Sequence, residues 1–216
     1  MTLSLAKDPT LDLSSINAQL RDASPAEVVR WALSLERPTI ATTSFGRNAA
    51  VMLHLVSEQD HSVPTVWVDT GYNLRDTYLV AERLIRDLNL NMKVYSPEIT
   101  SERRNAIMGG VPTIEEEELH AEFTRQVKLE PFERALADLA PEVWLTGIRK
   151  EETEHRQGLD IVSVDGRGIL KVAPIFYWSE ADVEAYMQSH SLPTCRHYFD
   201  PTKVHDGREC GLHTAA

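Results

Sequence analysis

The residue with the strongest case for covalent chemistry is Cys210, in the run Arg208-Glu209-Cys210-Gly211-Leu212-His213. The thiolate is the reactive form of cysteine, and a neighbouring cation such as Arg208 or a protonated His213 lowers the pKa of a thiol from about 8.5. Gly211 leaves room for a ligand to approach the backbone closely. These residue types predict a nucleophilic thiol. The alternative is a polar chain end that happens to carry a free cysteine.

A loop of small and polar residues, Ser44-Phe45-Gly46-Arg47-Asn48, joins a predicted strand at 39–43 to an apolar helix at 49–56. A strand, a small-residue loop and a helix in this order present free backbone N–H groups and the positive end of a helix dipole to a phosphate. The Gly-Lys-Ser/Thr ending of a Walker A loop is missing. The order of elements predicts a phosphate-binding loop, with an ordinary tight strand-to-helix turn as the alternative.

A second predicted strand, at 64–68, runs directly into Asp69-Thr70-Gly71-Tyr72. Ligands of open α/β sheets bind at the carboxyl edge of the parallel strands, which is where this polar run would lie. The alternative is structural, because an aspartate in this position can cap the next turn.

A strand predicted at 143–147 is followed by three cations, Arg149, Lys150 and Arg156. Three cations near the carboxyl end of a strand suit an anionic ligand. The alternative is that Lys150 and Arg156 form weakly stabilising surface ion pairs with the neighbouring glutamates Glu151, Glu152 and Glu154.

Together these runs resemble the phosphoadenylyl-sulfate (PAPS) and adenylyl-sulfate (APS) reductase family. The similarity extends in the family's order from about Trp31 to His213, and its most specific part is Glu209-Cys210-Gly211-Leu212-His213. Other matching runs are Ser44-Phe45-Gly46, Asp69-Thr70-Gly71-Tyr72, Ile148-Arg149-Lys150-Glu151-Glu152-Thr153 and Ile169-Leu170-Lys171-Val172-Ala173-Pro174-Ile175. Ile148, Lys150 and Thr153 are mild departures from the family's Gly-Leu-Arg-Arg-Glu-Gln-Ser run.

The resemblance implies an α/β fold with a Rossmann-like parallel sheet flanked by helices, of the adenine-nucleotide α-hydrolase (PP-loop) type, with a C-terminal catalytic tail. It divides the chain into a nucleotide-binding domain at 1–192 and a tail at 193–216. It further implies a homodimer that reduces PAPS to sulfite and adenosine 3′,5′-bisphosphate in assimilatory sulfate reduction. The reaction would pass through an S-sulfocysteine on Cys210, and thioredoxin or glutaredoxin would be the reductant.

The same resemblance assigns roles to individual residues. Cys210 is the nucleophile, and His213 orients the tail or the sulfate. The remaining residues bind the substrate. Its phosphate is bordered by Ser44, Phe45, Gly46 and Arg47, and its nucleoside by Asp69, Thr70 and Gly71. The phosphosulfate is neutralised by Lys128, Arg149 and Arg156, and Lys150 is a further substrate-binding cation.

The small number of cysteines indicates which cofactor and which substrate to expect. Cys195 and Cys210 are too few for a disulfide scaffold or for a four-cysteine iron–sulfur cluster. In the family, the iron–sulfur enzymes carry a cysteine pair before the Lys-x-x-Pro helix and generally use APS, whereas residues 123–127 ahead of Lys128 hold no cysteine. We therefore expect no metal or cluster and PAPS as substrate, with a cluster-free APS reductase as the alternative.

Composition excludes other classes of partner. A net charge of −11 over 216 residues argues against nucleic acid or an anionic membrane as a partner, because both bind basic surfaces. Residues 1–13 lack the continuous apolar core of a signal peptide, and the apolar runs are shorter than a membrane span. These features predict a cytoplasmic protein.

One departure from the family concerns the segment Arg196–Gly207, which is shorter than its usual counterpart and constrains how Cys210 reaches a substrate. Two other functions are compatible with parts of the sequence. An ATP pyrophosphatase of the same fold, such as the small subunit of sulfate adenylyltransferase, would not need a cysteine in its tail. A non-catalytic nucleotide- or redox-sensing module would keep the phosphate loop.

The elements that must position these residues follow from periodicity, caps and turn residues. Besides the strands above, we expect a helix from Ser24-Pro25 to about Leu35, a helix at about 76–88, a strand at 91–95, a helix at 132–139, a hairpin of 160–164 with 168–174 and a helix from Ser179 to Ser189. Residues 1–23 lack strong periodicity and are expected to wrap the surface, and 97–127 form the least regular stretch.

Overall fold

The computed structural model describes residues 11–203, which form a six-stranded sheet packed on both faces. The strands are β1 (Thr39–Thr43), β2 (Pro64–Val68), β3 (Asn91–Tyr95), β4 (Val143–Leu145), β5 (Val162–Val164) and β6 (Leu170–Val172). Their order across the sheet is β3-β2-β1-β4-β6-β5, with parallel neighbours except for β5, which pairs with β6 as the predicted hairpin. The prediction of a Rossmann-like, mostly parallel sheet is confirmed.

The strand order reverses between β1 and β4. From β1 the chain proceeds outward through β2 and β3, then returns to the other side of β1 with β4. Thr39 pairs with Val143, and Ala41 with Leu145, in parallel register. The loops that follow these two strands therefore reach the same edge of the sheet and diverge there, which leaves a crevice of the kind in which α/β proteins bind ligands.

The described part of the chain contains α1 (Leu13–Leu20), α2 (Pro25–Ser34), α3 (Ala49–Ser57), α4 (Arg75–Asp87), α5 (Ser101–Met108), α6 (Glu117–Thr124), α7 (Glu130–Leu139) and α8 (Glu180–Ser189). Serine caps begin two of them as predicted: Ser24 forms a capping box with Glu27 at α2, and Ser179 forms one with Asp182 at α8. Each box satisfies backbone N–H groups that the first turn leaves without partners. All of these helices fall short of the length and apolar content that a bilayer crossing needs.

The expectation that residues 1–23 merely wrap the surface is wrong where helix α1 forms. Asp12 caps its first turn by accepting two backbone hydrogen bonds, of 3.1 and 3.2 Å. Asn17 then donates to the carbonyl of Val162 (2.9 Å) and accepts from the N–H of the same residue (2.8 Å). The helix thus pairs with the outer side of the edge strand β5, a long-range contact that no local pattern reveals.

The expectation for residues 97–127 is also wrong in part, because α5 and α6 lie in this stretch. Gly109 ends α5 in the left-handed conformation (φ +80°), as glycine often does after the last turn of a helix. The described buried residues are Arg104 in α5 and Phe123 in α6. With so little apolar surface turned inward, these helices lack the periodicity that identifies the others.

The core lies on both faces of the sheet because successive residues of each strand point to opposite sides. Ile40, Val66 and Trp144 face α7, whereas Ala41 and Trp67 belong to the larger cluster with α2, α3, α4 and α8. On the α7 side, the ring of Phe132 packs against Trp144 at a centroid distance of 5.1 Å. This two-sided packing fixes β1 and β4, whose ends carry the candidate site.

Candidate active site

A cleft of about 350 Å³ opens at the carboxyl ends of β1 and β4, where the strand order reverses. Its walls are the loop after β1, the loop after β4 and the chain that follows α8. The charged side chains of its lining are the cations Arg47, Lys128, Arg156 and Lys203 and the carboxylates Glu152 and Asp200. In a chain of net charge −11, this local excess of positive charge suits an anionic ligand.

The loop after β1 is held by Phe45, which is fully buried and has a positive φ of +50°. Its ring packs edge-on against Trp67 at a centroid distance of 4.9 Å, and its N–H donates to Thr43 Oγ1 at 3.0 Å. A left-handed backbone at a bulky residue costs free energy and persists only where the surroundings fix it. Because Phe45 anchors the loop inward, Ser44 and Gly46 line the cleft.

Helix α3 begins directly at this loop, and Asn48 and Ala49 line the cleft. The side chain of Asn48 does not cap the helix; its amide instead donates to the carboxylate of Glu180 at 3.1 and 3.2 Å. An α-helix carries partial positive charge at its start, where the first N–H groups have no partner within the helix. The predicted strand, loop and helix start are therefore all present around the cleft.

Lys128 reaches the cleft from a π-helical turn, Arg125–Leu129, that joins α6 to α7. The N–H of Glu130 bonds to the carbonyl of Arg125, five residues back. Pro131 supplies the reason, since a proline inside a helix has no N–H to donate and its ring clashes with the carbonyl four residues earlier. Widening the turn relieves that clash, and π-turns of this kind are frequent at functional sites.

The ammonium of Lys128 is buried against the chain that follows α8. It donates to Asp200 Oδ2 at 2.5 Å and to Thr202 Oγ1 at 3.1 Å, and the Lys128 and Asp200 side chains are only 7% and 5% exposed. Burial by itself raises the pKa of the Asp200 carboxyl. The charge and hydrogen bond of Lys128 and the hydrogen bonds from Thr202 outweigh burial, so the pKa lies below its ordinary value.

The residues after α8 are the part of the site that the sequence did not identify. Tyr198, Asp200 and Lys203 line the cleft, although the sequence had marked their segment only as shortened. The run Asp200-Pro201-Thr202 is typical of a turn, since an aspartate side chain can accept a hydrogen bond from the backbone N–H two residues later. Asp200 Oδ1 indeed accepts from the N–H of Thr202 at 3.0 Å.

Of the predicted cations after β4, Arg156 lines the cleft, and Arg149 and Lys150 lie outside its lining. Arg149 is buried and donates at 2.5 Å to both Glu151 and Glu180. Glu152 joins the two arginines, because its carboxylate accepts from the N–H of Arg149 (3.0 Å) and from the guanidinium of Arg156. Arg149 therefore ties the loop after β4 to α8.

Lys150 packs away from the cleft. Its ammonium lies 5.4 Å from the centroid of the Tyr177 ring, on which Arg21 also stacks at 4.4 Å. The Tyr177 hydroxyl donates to Asp160 at 3.0 Å. This arrangement is a cation–π cluster on the protein surface.

Asp69, Thr70 and Gly71 follow β2 at the same edge of the sheet, one strand away from the cleft. Asp69 Oδ1 accepts hydrogen bonds from the N–H of Gly71 (3.1 Å), from Asn73 (3.0 Å) and from the Tyr78 hydroxyl (2.8 Å). Burial of Tyr78, the hydrogen bond to Asp69 and the negative charge of Asp69 raise the pKa of Tyr78 to about 12. These contacts match the structural alternative for Asp69, which organises its own loop.

The two cysteines differ in what the structure describes. Cys210 and His213 lie outside the described residues. Cys195 is buried, with its Sγ 3.4 Å from Thr77 Oγ1, in the manner of a small core residue. Within residues 11–203, no group of three or more histidine, cysteine, aspartate or glutamate side chains is arranged to hold a metal ion.

A second cavity, of about 640 Å³, adjoins the cleft between the start of α3, α8 and the chain after α8. Arg47 and Asn48 line both cavities, so the two meet at the loop after β1. Arg196 lines the second cavity together with Glu180 and Glu184, and both Arg47 and Arg196 are exposed. The sequence had suggested Arg47 as an anion ligand but not Arg196.

The chain resembles known proteins both in sequence and in fold. A family model described as the phosphoadenosine phosphosulfate reductase domain matches residues 38–201, from the residue before β1 to the residue after Asp200. The chain belongs to this family. The match contains every described residue that lines the cleft except Lys203, so the cleft lies within the family's own domain.

Among family members, the phosphoadenosine 5′-phosphosulfate reductase of a Synechococcus species is 38% identical over 182 residues, covering 84% of this chain and 78% of the relative. The Vibrio vulnificus protein of the same name is 38% identical over 197 residues, covering 88% and 74%. The crystal structure of Candida auris PAPS reductase, a phosphate complex, superposes with a TM-score of 0.76 at 27% identity over 90% of this chain and 91% of that one.

A more distant neighbour shows the fold alone. The NH3-dependent NAD synthetase of Campylobacter jejuni superposes with a TM-score of 0.53 at 16% identity, covering 84% of this chain and 75% of that one. Together with the reductase structure, it confirms the prediction of the PP-loop fold.

Proposed function

We propose that this reductase-family protein converts PAPS to sulfite and adenosine 3′,5′-bisphosphate, with Cys210 as the nucleophile and thioredoxin or glutaredoxin as the reductant. The observation that carries the proposal is the cationic cleft beside the phosphate loop, at the point where the strand order reverses. Arg47, Lys128 and Arg156 supply positive charge there, and α3 starts at the same place. The negative charge of a phosphosulfate suits this cleft.

In the first step, the Cys210 thiolate attacks the sulfur of the bound phosphosulfate. A sulfur–sulfur bond forms, and the bond from that sulfur to the bridging phosphate oxygen breaks. Adenosine 3′,5′-bisphosphate leaves, and Cys210 becomes S-sulfocysteine. The cations of the cleft stabilise the negative charge that develops on the departing phosphate.

In the second step, a thiolate of reduced thioredoxin or glutaredoxin attacks Cys210 Sγ and releases sulfite. The resulting mixed disulfide is resolved by a second thiol of the reductant, which restores the Cys210 thiolate. Two electrons pass from the dithiol to the sulfur of the sulfate group, and the reductant leaves as a disulfide. This chain of steps needs no metal or cluster.

PAPS differs from APS by a 3′-phosphate, which needs additional cations. Arg47 and Arg196 support PAPS as the substrate, because both are exposed along the second cavity and Arg47 also borders the phosphosulfate cleft. Arg149 is less suitable for the 3′-phosphate, since Glu151 and Glu180 hold its guanidinium.

Calorimetric titration with PAPS, APS and ATP, followed by a sulfite-release assay with reduced thioredoxin and glutaredoxin, tests the proposal. We expect binding of PAPS and release of one sulfite per PAPS consumed. Preferred turnover of APS would make the protein a cluster-free APS reductase, and cleavage of ATP to pyrophosphate would make it a pyrophosphatase. Nucleotide binding without turnover would indicate a sensing module.

The oligomeric state and the cellular location are further parts of the proposal. We propose a cytoplasmic homodimer on the family resemblance, and Ile107, Val111 and Ile114 supply exposed apolar surface near α5. Sedimentation equilibrium gives the test: we expect a mass twice the 24.4 kDa of the chain. A monomer at micromolar concentration would contradict the dimer without affecting the proposed reaction.

A further inference from the structure

The Lys128–Asp200 ion pair joins the substrate cleft to the base of the C-terminal segment. Both side chains are nearly inaccessible to water, and Thr202 Oγ1 lies 3.1 Å from Lys128 Nζ and 2.6 Å from Asp200 Oδ1. Two residues of the segment therefore converge on one lysine of the π-helical turn. A buried pair held by additional hydrogen bonds is expensive to break, so this contact fixes the backbone around residue 200.

The chain after α8 also bonds to the loop after β1 at one point and lies close to it at another. Thr194 Oγ1 donates to the carbonyl of Arg47 at 3.1 Å. A Cβ atom built on Gly46 would lie 3.6 Å from the ring of Tyr198. From Thr194 to Thr202, the chain thus crosses the mouth of the cleft in contact with the residues proposed to bind the phosphosulfate.

We infer that Asp200 and Thr202 are positioning residues that hold the start of the catalytic segment on the substrate cleft by binding Lys128. The inference rests on the proposed function, because it concerns the approach of Cys210 to the sulfur. It also accounts for the short segment before the cysteine, since a tether that starts at the cleft itself has little distance to span.

Chain length gives the size of the expected effect. Cys210 is eight residues from Thr202, a reach of about 26–29 Å when fully extended. Without the contact to Lys128, the preceding buried attachment is Cys195, fifteen residues away. The effective concentration of a tethered group falls roughly as the −3/2 power of tether length, which gives a loss of about 2.5-fold from chain entropy alone.

The test compares Asp200→Ala and Thr202→Val with a control, Asp87→Ala, which removes an exposed ion pair on α4. The first measurement is hydrogen exchange at the amide of Lys203, because its acceptor is the backbone carbonyl of Asp200, which both substitutions leave in place. We expect exchange about tenfold faster in Asp200→Ala than in the wild type and the control. Unchanged exchange would overturn the anchor, whatever the protein catalyses.

The second measurement is the rate of sulfonation of Cys210 by saturating PAPS without reductant, followed by mass spectrometry. We expect a fall of at least about 2.5-fold in Asp200→Ala and a smaller fall in Thr202→Val, which keeps the ion pair. Thr202 lies outside the cleft lining, so Thr202→Val should leave the dissociation constant of adenosine 3′,5′-bisphosphate within about twofold of the wild type. A faster rate would show instead that Asp200 blocks the substrate, and an equal rate that the contact is only structural.

The two measurements separate the anchor from the proposed reaction. A wild type that forms no adduct on Cys210 would refute the proposed reaction and the positioning role together. Faster exchange in Asp200→Ala would then still establish that Asp200 holds its segment on the cleft. Thr202→Val keeps the buried charge pair, so it remains informative if Asp200→Ala is too unstable to study.

Discussion

Gly46, in the loop after β1, lies next to the ring of Tyr198, so that a Cβ atom on Gly46 would lie 3.6 Å from Tyr198 Cε1. That separation is ordinary van der Waals contact. The loop and the chain after α8 are therefore close enough to enclose a ligand and far enough apart to accept one methyl group.

Gly46→Ala separates ligand binding from folding. We expect its free energy of unfolding to stay within about 0.5 kcal/mol of the wild type, because the methyl group meets no clash. The affinity for adenosine 3′,5′-bisphosphate should fall about tenfold, since the methyl group stands where the backbone would meet a phosphate. Calorimetry measures this, with Gly158→Ala as control, and an unchanged affinity would place the phosphate elsewhere.

Cys210→Ser should abolish sulfite release and leave nucleotide affinity within about twofold, because a hydroxyl at this position is a far weaker nucleophile than a thiolate. Incubation of the wild type with PAPS and no reductant should add one sulfonate to the peptide that contains Cys210. Mass spectrometry locates the adduct. Its appearance on Cys195 would refute the assignment.

Cys195→Ala should keep the wild-type rate of thioredoxin-dependent turnover. The thiol is buried beside Thr77, and its loss removes packing worth about 1 kcal/mol rather than a reacting group. Steady-state assays and urea denaturation give the two quantities. A large loss of turnover at unchanged stability would mean that Cys195 acts on the tail as a resolving or protective thiol.

Arg47→Ala/Arg196→Ala tests which sulfonucleotide the enzyme prefers. Losing charge-assisted hydrogen bonds to a 3′-phosphate costs about 1.5–3 kcal/mol, so kcat/KM for PAPS should fall about 10–150-fold. The value for APS should fall less than that for PAPS, because APS lacks the 3′-phosphate and loses only the charge that Arg47 contributes to the phosphosulfate cleft. Arg86→Ala on α4 is the control. An equal fall for both nucleotides would assign these arginines to the phosphosulfate instead.

The ion pair of Asp200 with Lys128 predicts a pH-dependent contribution to stability. The pKa of Asp200 is lowered in the folded protein from an ordinary value of 3.8, so its stabilisation is complete above that value and is lost as the pH falls through the folded pKa. Asp200→Asn should therefore cost about 3 kcal/mol at neutral pH and less below about pH 3.8. Urea denaturation at several pH values checks this, and a constant difference would exclude ionisation as the cause.

The sequence predicted the elements with strong local signals. The capping boxes at Ser24 and Ser179, the β-branched strand at 39–43 and the hairpin around Asp165 all lie where propensity, caps and turn residues place them. Helix α1 depends on Asn17 pairing with Val162, 145 residues away, and such a contact leaves no trace in local periodicity.

The candidate site likewise contains residues that local sequence signals predict and residues whose role depends on distant contacts. Ser44, Gly46, Arg47, Lys128 and Arg156 were predicted and line one cleft. Arg149 carries the same charge as Arg156 but points to Glu180, and only the packing of α8 against the loop decides this. The contribution of Asp200 and Thr202 was missed because their partner, Lys128, lies more than 70 residues earlier in the chain.

The π-helical turn at Arg125–Leu129 can be regarded as a one-residue insertion in an otherwise continuous helix. Each residue advances an α-helix by about 100°, so removing Leu129 would rotate Lys128 and everything before it by that angle relative to α7. Phe132 and Ala135 would keep their places against the sheet, while Lys128 would turn away from Asp200. The direction of this lysine is thus set by the local count of residues, and a single-codon deletion would change it while leaving every side chain of the cleft chemically intact.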